Sequence, residues 1–246
     1  MLQTAVPLVK RKYLLAGGSK MPLQYAVIDP RNSYLLFSDD FNNGVIRSIV
    51  KTHASGGSAS ITTNTGEVYE GSGACKITTS DYVSGGYGGW VTLRQRMPAR
   101  YYYKYSGFIF KYMFKISEGI PVSARLDTGV SMLPKGVSRS ANVVLFFSDG
   151  SIYVPNEFTG EKIGELEWET GYSEEVWHEL LFIINRRKDS WGLFIDGSAV
   201  YSGKLMTVET VPEKDFCVMC GLMYQTMENA SHTLLVDDIR FYGMLW

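Results

Sequence analysis

The stretch Trp177-His178-Glu179-Leu180-Leu181-Phe182-Ile183-Ile184-Asn185, followed after a short gap by Trp191-Gly192-Leu193-Phe194-Ile195-Asp196-Gly197-Ser198-Ala199-Val200-Tyr201, decides the fold. Residues 180–184 form an unbroken apolar run, which suits a strand covered on both faces. Residues 191–195 and 198–201 are rich in aromatic and β-branched side chains. Asp196-Gly197 lies between them and supplies the positive φ that a type I′ turn demands, so the pair is predicted to be a β-hairpin.

The same signals recur on either side. In residues 108–116, Phe108, Phe110, Tyr112, Phe114 and Ile116 share one face while Lys111 and Lys115 take the other. That alternation is the pattern of a half-buried strand. Val143-Val144-Leu145-Phe146-Phe147, then Ser148-Asp149-Gly150-Ser151, then Ile152-Tyr153-Val154 reads as a second hairpin. Leu234-Leu235-Val236 with Ile239 and Phe241 forms the last strand. Apart from short segments, helical periodicity is absent, and no fixed-period repeat appears. Many short strands between turns predict an all-β sandwich or barrel. The 25 glycines, 16 tyrosines and 12 phenylalanines agree.

The chain has 246 residues, enough to bury a core without disulfides or metals. Its net charge of −1 argues against a nucleic-acid partner, which selects for strongly basic surfaces. No run of 18 apolar residues predicts a membrane span. The apolar stretch at 5–9 is short, and Lys10, Arg11 and Lys12 follow it, the reverse of a standard signal peptide. Synthesis in the cytoplasm is therefore expected, with a virion or extracellular location after release. Residues 1–36 carry Pro7, Gly17, Gly18, Pro22 and Pro30 and read as an extended arm before a domain at 37–246. That arm either adds a strand to its own domain or lies on a neighbouring subunit, which would make it the route to self-association. Cys75, Cys217 and Cys220 are odd in number, and period 2 sends the Cys217 and Cys220 side chains of a strand to opposite faces. Buried, reduced thiols are expected.

Several pieces together resemble the concanavalin A-like jelly-roll superfamily of laminin-G-like modules, legume-type lectins and glucanases. Leu36-Phe37-Ser38-Asp39-Asp40-Phe41-Asn42 resembles the opening strand of such domains, and the Trp177–Gly197 hairpin resembles their central one. Leu235-Val236-Asp237-Asp238-Ile239-Arg240-Phe241-Tyr242 is similar to their closing strand. Tyr69-Glu70-Gly71-Ser72-Gly73-Ala74-Cys75-Lys76-Ile77 resembles the second strand of jelly-roll carbohydrate-binding modules. The resemblance implies a two-sheet antiparallel jelly-roll β-sandwich over residues 36–246. It implies neighbouring first and last strands, and with them a structural calcium held by Asp39 and Asp238, since carboxylates near carbonyls suit a hard cation.

Two groups of side chains are candidates for chemistry. Trp90, Thr92, Arg94 and Arg96 alternate on one face of a predicted strand, after a glycine-rich loop carrying Tyr87. Aromatic faces and planar cationic groups recognise sugar rings and hydroxyls, so Tyr87, Trp90, Arg94 and Arg96 form a candidate ligand platform. Glu165, Glu167 and Glu169 share one face of another predicted strand. Paired carboxylates suit glycoside hydrolysis, and the run resembles the acidic strand of laminarinase-type glucanases, with Glu167 where that family has Asp. It also stands closer before Trp177-His178 than that family's order. Tyr101-Tyr102-Tyr103-Lys104-Tyr105 is a further aromatic cluster, suited to an interface or to covering a sheet edge. His53, His178 and His232 are far apart, and no HExxH, GxSxG or P-loop motif occurs. The leading expectation is a non-enzymatic glycan- or surface-binding or structural module of an assembly such as a phage or viral particle. The alternative is a glucanase-like hydrolase using Glu165 and Glu169.

Overall fold

The computed structural model describes residues 32–52, 56–79, 89–116, 124–134, 137–147, 150–154, 161–165, 176–208, 217–226 and 232–245. The strands in chain order are β1 (Ser33–Asp39), β2 (Ile49–Thr52), β3 (Gly57–Thr62), β4 (Ala74–Thr79), β5 (Trp90–Pro98), β6 (Gly107–Ile116), β7 (Ala124–Leu133) and β8 (Ser138–Phe146). They continue as β9 (Ser151–Val154), β10 (Glu161–Glu165), β11 (His178–Asn185), β12 (Ser190–Ile195), β13 (Ser198–Lys204), β14 (Met206–Val208), β15 (Cys217–Thr226) and β16 (His232–Met244). A short helix, α1 (Arg100–Lys104), joins β5 to β6.

These strands form two antiparallel sheets packed as a jelly-roll β-sandwich, as predicted. The first sheet runs β13-β12-β11-β6-β16-β4-β3, with β1 also paired to β16. The second runs β10-β9-β8-β7-β15-β5-β2, with β14 beside β8. One core lies between them. Phe108, Phe110, Tyr112 and Phe114 of β6 and Leu180, Phe182 and Ile184 of β11 enter it from the first sheet; Val91, Leu93, Leu126, Val130, Val143, Leu145, Leu222 and Tyr224 enter from the second. Phe108 stacks on Phe241 at 5.3 Å, and Phe147 bridges Phe114 at 6.2 Å and Tyr224 at 6.1 Å. Each such side chain contributes about 1.5–3 kcal/mol through its removal from water.

The deciding hairpin forms as read. Asp196 and Gly197 have φ of 50° and 75° between β12 and β13. The Asp196 carboxylate also reaches back to the start of β11: Oδ1 accepts from the Glu179 amide and Oδ2 meets His178 Nδ1, both at 2.8 Å. His178, the first residue of β11, is thereby tied to the hairpin turn. Two burial expectations change places. β11 alternates, with Leu181 and Ile183 half-buried on its outer face. β6 is buried on nearly both faces, including Ile109, Met113 and Lys115. Its lysines tolerate this because each has a partner: Lys115 Nζ donates to the Gly66 carbonyl at 2.8 Å, and Lys111 lies 3.3 Å from Asp238 and 3.5 Å from Glu179.

The arm boundary also moves. β1 begins at Ser33 and pairs in register with Met244, so residues 33–36 belong to the sandwich. Residues 1–31 lie outside the described residues. Cys75 and Cys220 are buried and free, and burial pushes both thiols up, so they are inert at neutral pH.

β16 changes partners along one edge. Residues 232–236 pair with β4, and residues 239–244 pair with β1. At the change Asp238 and Ile239 bulge opposite Tyr112 of β6, with Asp238 at φ 48°. Buried carboxylates beside it bind the backbone of neighbouring loops. Asp237 Oδ2 accepts from the Tyr69 and Glu70 amides at 3.1 and 3.2 Å, and its Oδ1 accepts from the Asp238 amide at 2.7 Å. Asp39 Oδ2 accepts from the Arg47 and Ser48 amides at 2.9 and 2.8 Å and from Ser48 Oγ at 2.9 Å.

Burial pushes the Asp237 carboxyl up to about 6, only partly opposed by its three amide donors. The folded state therefore holds this proton to higher pH than the unfolded chain, and the group's stabilising contribution is lost as pH rises through about 6. Relative to Asp237→Asn, the native protein should lose about 2–3 kcal/mol between roughly pH 4 and pH 7. Chemical denaturation across that range checks this; parallel profiles for the two proteins would contradict it.

Candidate ligand-binding groove

The outer face of the second sheet is polar because period 2 turns every other residue away from the core. On β5, Val91, Leu93 and Met97 point inward while Trp90, Thr92, Arg94 and Arg96 point outward. On β7 the outward set is Arg125, Asp127, Gly129 and Ser131. Strand register then aligns these residues in rows. Arg94 is opposite Gly221, Gly221 opposite Gly129, and Gly129 opposite Asn142. In the next row Thr92, Met223, Asp127 and Val144 align, and beyond it Trp90, Gln225 and Arg125.

Two facing glycines in the centre of a sheet leave a trough. A groove of about 460 Å³ opens there, with Arg94 and Thr92 on one wall, Asn142 and Val144 on the other, and Arg125, Asp127, Ser131 and Met223 along the floor and ends. Its size is that of a small-ligand site. The glycines also permit close strand approach. A β-carbon on Gly129 would lie 2.2 Å from the Ala141 carbonyl oxygen, and one on Gly221 would lie 2.6 Å from that of Leu93.

The groove's charges are incompletely paired. Arg125 Nη2 and Asp127 Oδ2 are 3.4 Å apart. Asp127 Oδ1 and Arg125 Nε are buried with no hydrogen-bond partner among the described residues. Desolvation raises the Asp127 carboxyl above the usual range despite Arg125 beside it. The polar groups of Arg94, Thr92, Ser131 and Asn142 offer donors and acceptors to a ligand rich in hydroxyls.

Of the residues named from sequence as a platform, Arg94 lines the groove. Trp90 is half-buried on the same face, one row from Asp127, and Arg96 is exposed at the far end of the strand. Tyr87 lies outside the described residues. β7, β8 and β15 supply the remaining lining, and sequence reading missed it. The available signals were Gly129 and Gly221 inside strand-like runs, since an interior strand glycine marks a close approach of backbone or ligand.

The expected calcium position is filled differently. β1 and β16 are neighbours, but Asp238 Oδ1 accepts from Arg240 Nε at 2.5 Å and its Oδ2 lies 3.3 Å from Lys111 Nζ. Two cationic side chains take the place a cation would need, and Asp39 Oδ2 is committed to Arg47 and Ser48. Among the described residues no three His, Cys, Asp or Glu side chains converge. Asp39 Oδ1 is buried without a hydrogen-bond partner among the described residues. Glu165 ends β10 on the sheet edge, opposite Ser151, and Glu169 lies outside the described residues. No helix among the described residues is long and apolar enough to cross a membrane.

No family model matches the sequence, and no curated protein matches it. Solved structures share the fold. A carbohydrate esterase from the Shiga toxin-encoding bacteriophage phi24B is 18% identical, with a TM-score of 0.58 over 87% of this chain and 100% of the other. An endo-beta-1,4-glucuronan lyase from the fungus Trichoderma reesei is 12% identical, with a TM-score of 0.51 over 86% and 96%. The CBM2 module of the evolved Dit of Lactobacillus casei BL23 phage J-1 is also 12% identical at 0.51, over 87% and 99%. These likenesses establish the jelly-roll sandwich.

Because backbone lies within 3 Å of where a β-carbon would stand at either glycine, Gly221→Ala should separate β5 from β15 and cost about 1–3 kcal/mol. Urea unfolding measures it; a variant as stable as the native protein would contradict the close approach.

Proposed function

We propose that this chain is a non-enzymatic glycan-binding module whose ligand lies in the groove across the second sheet. The observation that carries the reading is the Arg94–Gly221–Gly129–Asn142 row. A sugar ring settles over the glycine floor and against Met223. Its hydroxyls then accept from Arg94 and exchange hydrogen bonds with Asn142, Ser131 and Thr92. Trp90, in the row beyond Asp127, offers an apolar face to a second ring of a longer chain.

Asp127 is the one carboxylate among the described lining residues. Glycoside hydrolysis uses two carboxylates flanking the scissile bond, so the groove suits binding better than that reaction. The carbohydrate-related names of the fold neighbours support a glycan ligand, and the bacteriophage source of two of them supports a place in a phage or viral particle.

A glycan-array screen of the native protein tests the reading. We expect retention of a defined subset of glycans. Arg94→Ala and Asn142→Ala should each weaken it about tenfold or more, the loss expected for a hydrogen bond to a charged or well-placed polar group. Trp90→Ala should weaken longer oligosaccharides more than short ones. Retention unchanged in all three variants would sink the groove as the site.

A further inference from the structure

A second hollow, of about 300 Å³, opens at the end of the sandwich where α1 meets the turn between β11 and β12. Tyr103, Lys104, Tyr105, Ser106, Arg186 and Arg187 line it. Its charged lining is wholly cationic, and none of the three cations pairs with a carboxylate among the described residues. The chain as a whole carries a net charge of −1, so this concentration is local.

The cations are held in place without being neutralised. The Arg186 amide donates to the Ser106 carbonyl at 3.0 Å. Its Nη1 donates to the carbonyls of Tyr102 and Tyr105, and its guanidinium lies 3.5 Å from the centroid of the Tyr102 ring. Neutral oxygens and a ring face fix this charge and leave it positive. The Lys104 ammonium sits 5.1 Å from the Tyr105 ring and 5.6 Å from the Tyr34 ring, again against aromatic faces. Arg187 is exposed beside them. Tyr103 is 65% exposed, yet its ring is braced edge-on against Tyr102 at 5.4 Å. Three like charges around one hollow repel one another, and a bound oxyanion relieves that repulsion.

We propose that this hollow binds an acidic saccharide residue. Lys104 and Arg187 take its carboxylate or sulfate beside the fixed guanidinium of Arg186, and its ring face lies on Tyr103. The saccharide part rests on the glycan reading of the groove; the oxyanion part does not. With the groove on the outer face of the second sheet, the chain would hold a glycan at two separate places, one selecting hydroxyls and one selecting charge.

Calorimetric titration of the full chain tests this, with a sulfated dextran oligosaccharide, its unsulfated counterpart and inorganic sulfate as probes. The sulfated oligosaccharide should bind about tenfold or more tightly than the unsulfated one. Lys104→Glu and Arg187→Glu, both at exposed positions, should each remove about tenfold or more of that affinity. Lys51→Glu, an equal change of charge on the exposed strand β2, should leave it within about twofold. Equal binding of the two oligosaccharides would overturn the proposal. So would an equal loss in Lys51→Glu, which means diffuse attraction, or a loss in Arg94→Ala with none in Arg187→Glu. Inorganic sulfate binding as tightly as the sulfated oligosaccharide would keep the oxyanion site and overturn its saccharide part. Loss in Arg187→Glu together with no groove-dependent glycan retention would keep the end site and reject the groove.

Discussion

Register on β15 is the constraint on which the rest depends. This strand pairs with β5 from Cys217 opposite Pro98 to Gln225 opposite Trp90, and with β7 from Cys217 opposite Leu133 to Thr226 opposite Ala124. A one-residue slip in either ladder would turn a whole strand over. Arg125 and Asp127 would then face Phe110 and Tyr112 in the core, and Leu126 and Val130 would face water. The hydrophobic set that closes the sandwich therefore also fixes which polar residues meet on its outer face. Gly129 and Gly221 fall opposite each other as a consequence, and the groove follows from their missing side chains.

The first sheet answers a different problem. Its last strand must pair with β4 at one end and β1 at the other. Beside that crossover Asp237 accepts from the Tyr69 and Glu70 amides and Asp39 from the Arg47 and Ser48 amides, loop donors that would each cost about 1–3 kcal/mol if buried without a partner. Of the pair that resembles a calcium site, Asp39 caps backbone amides, while Asp238 is paired with Lys111 and Arg240.

Much of the fold was legible in the chain because its signals are local. Asp196-Gly197 announces its turn, and the alternation of Phe108 to Ile116 announces a strand. Burial was harder to read, since it depends on neighbours. Lys111 and Lys115 looked solvent-facing, yet Glu179, Asp238 and the Gly66 carbonyl bury them. The groove was legible only along β5. Arg94, Gly221, Gly129 and Asn142 are far apart in sequence and become neighbours through strand pairings that no local pattern encodes.

The most direct test is amide-resolved NMR of the labelled protein titrated with soluble gluco-, galacto- and manno-oligosaccharides. The account predicts that the largest shifts fall on Arg94, Gly129, Asn142 and Gly221, a contiguous row crossing four strands. Shifts confined to the first sheet, or an unchanged spectrum with every oligosaccharide, would contradict it.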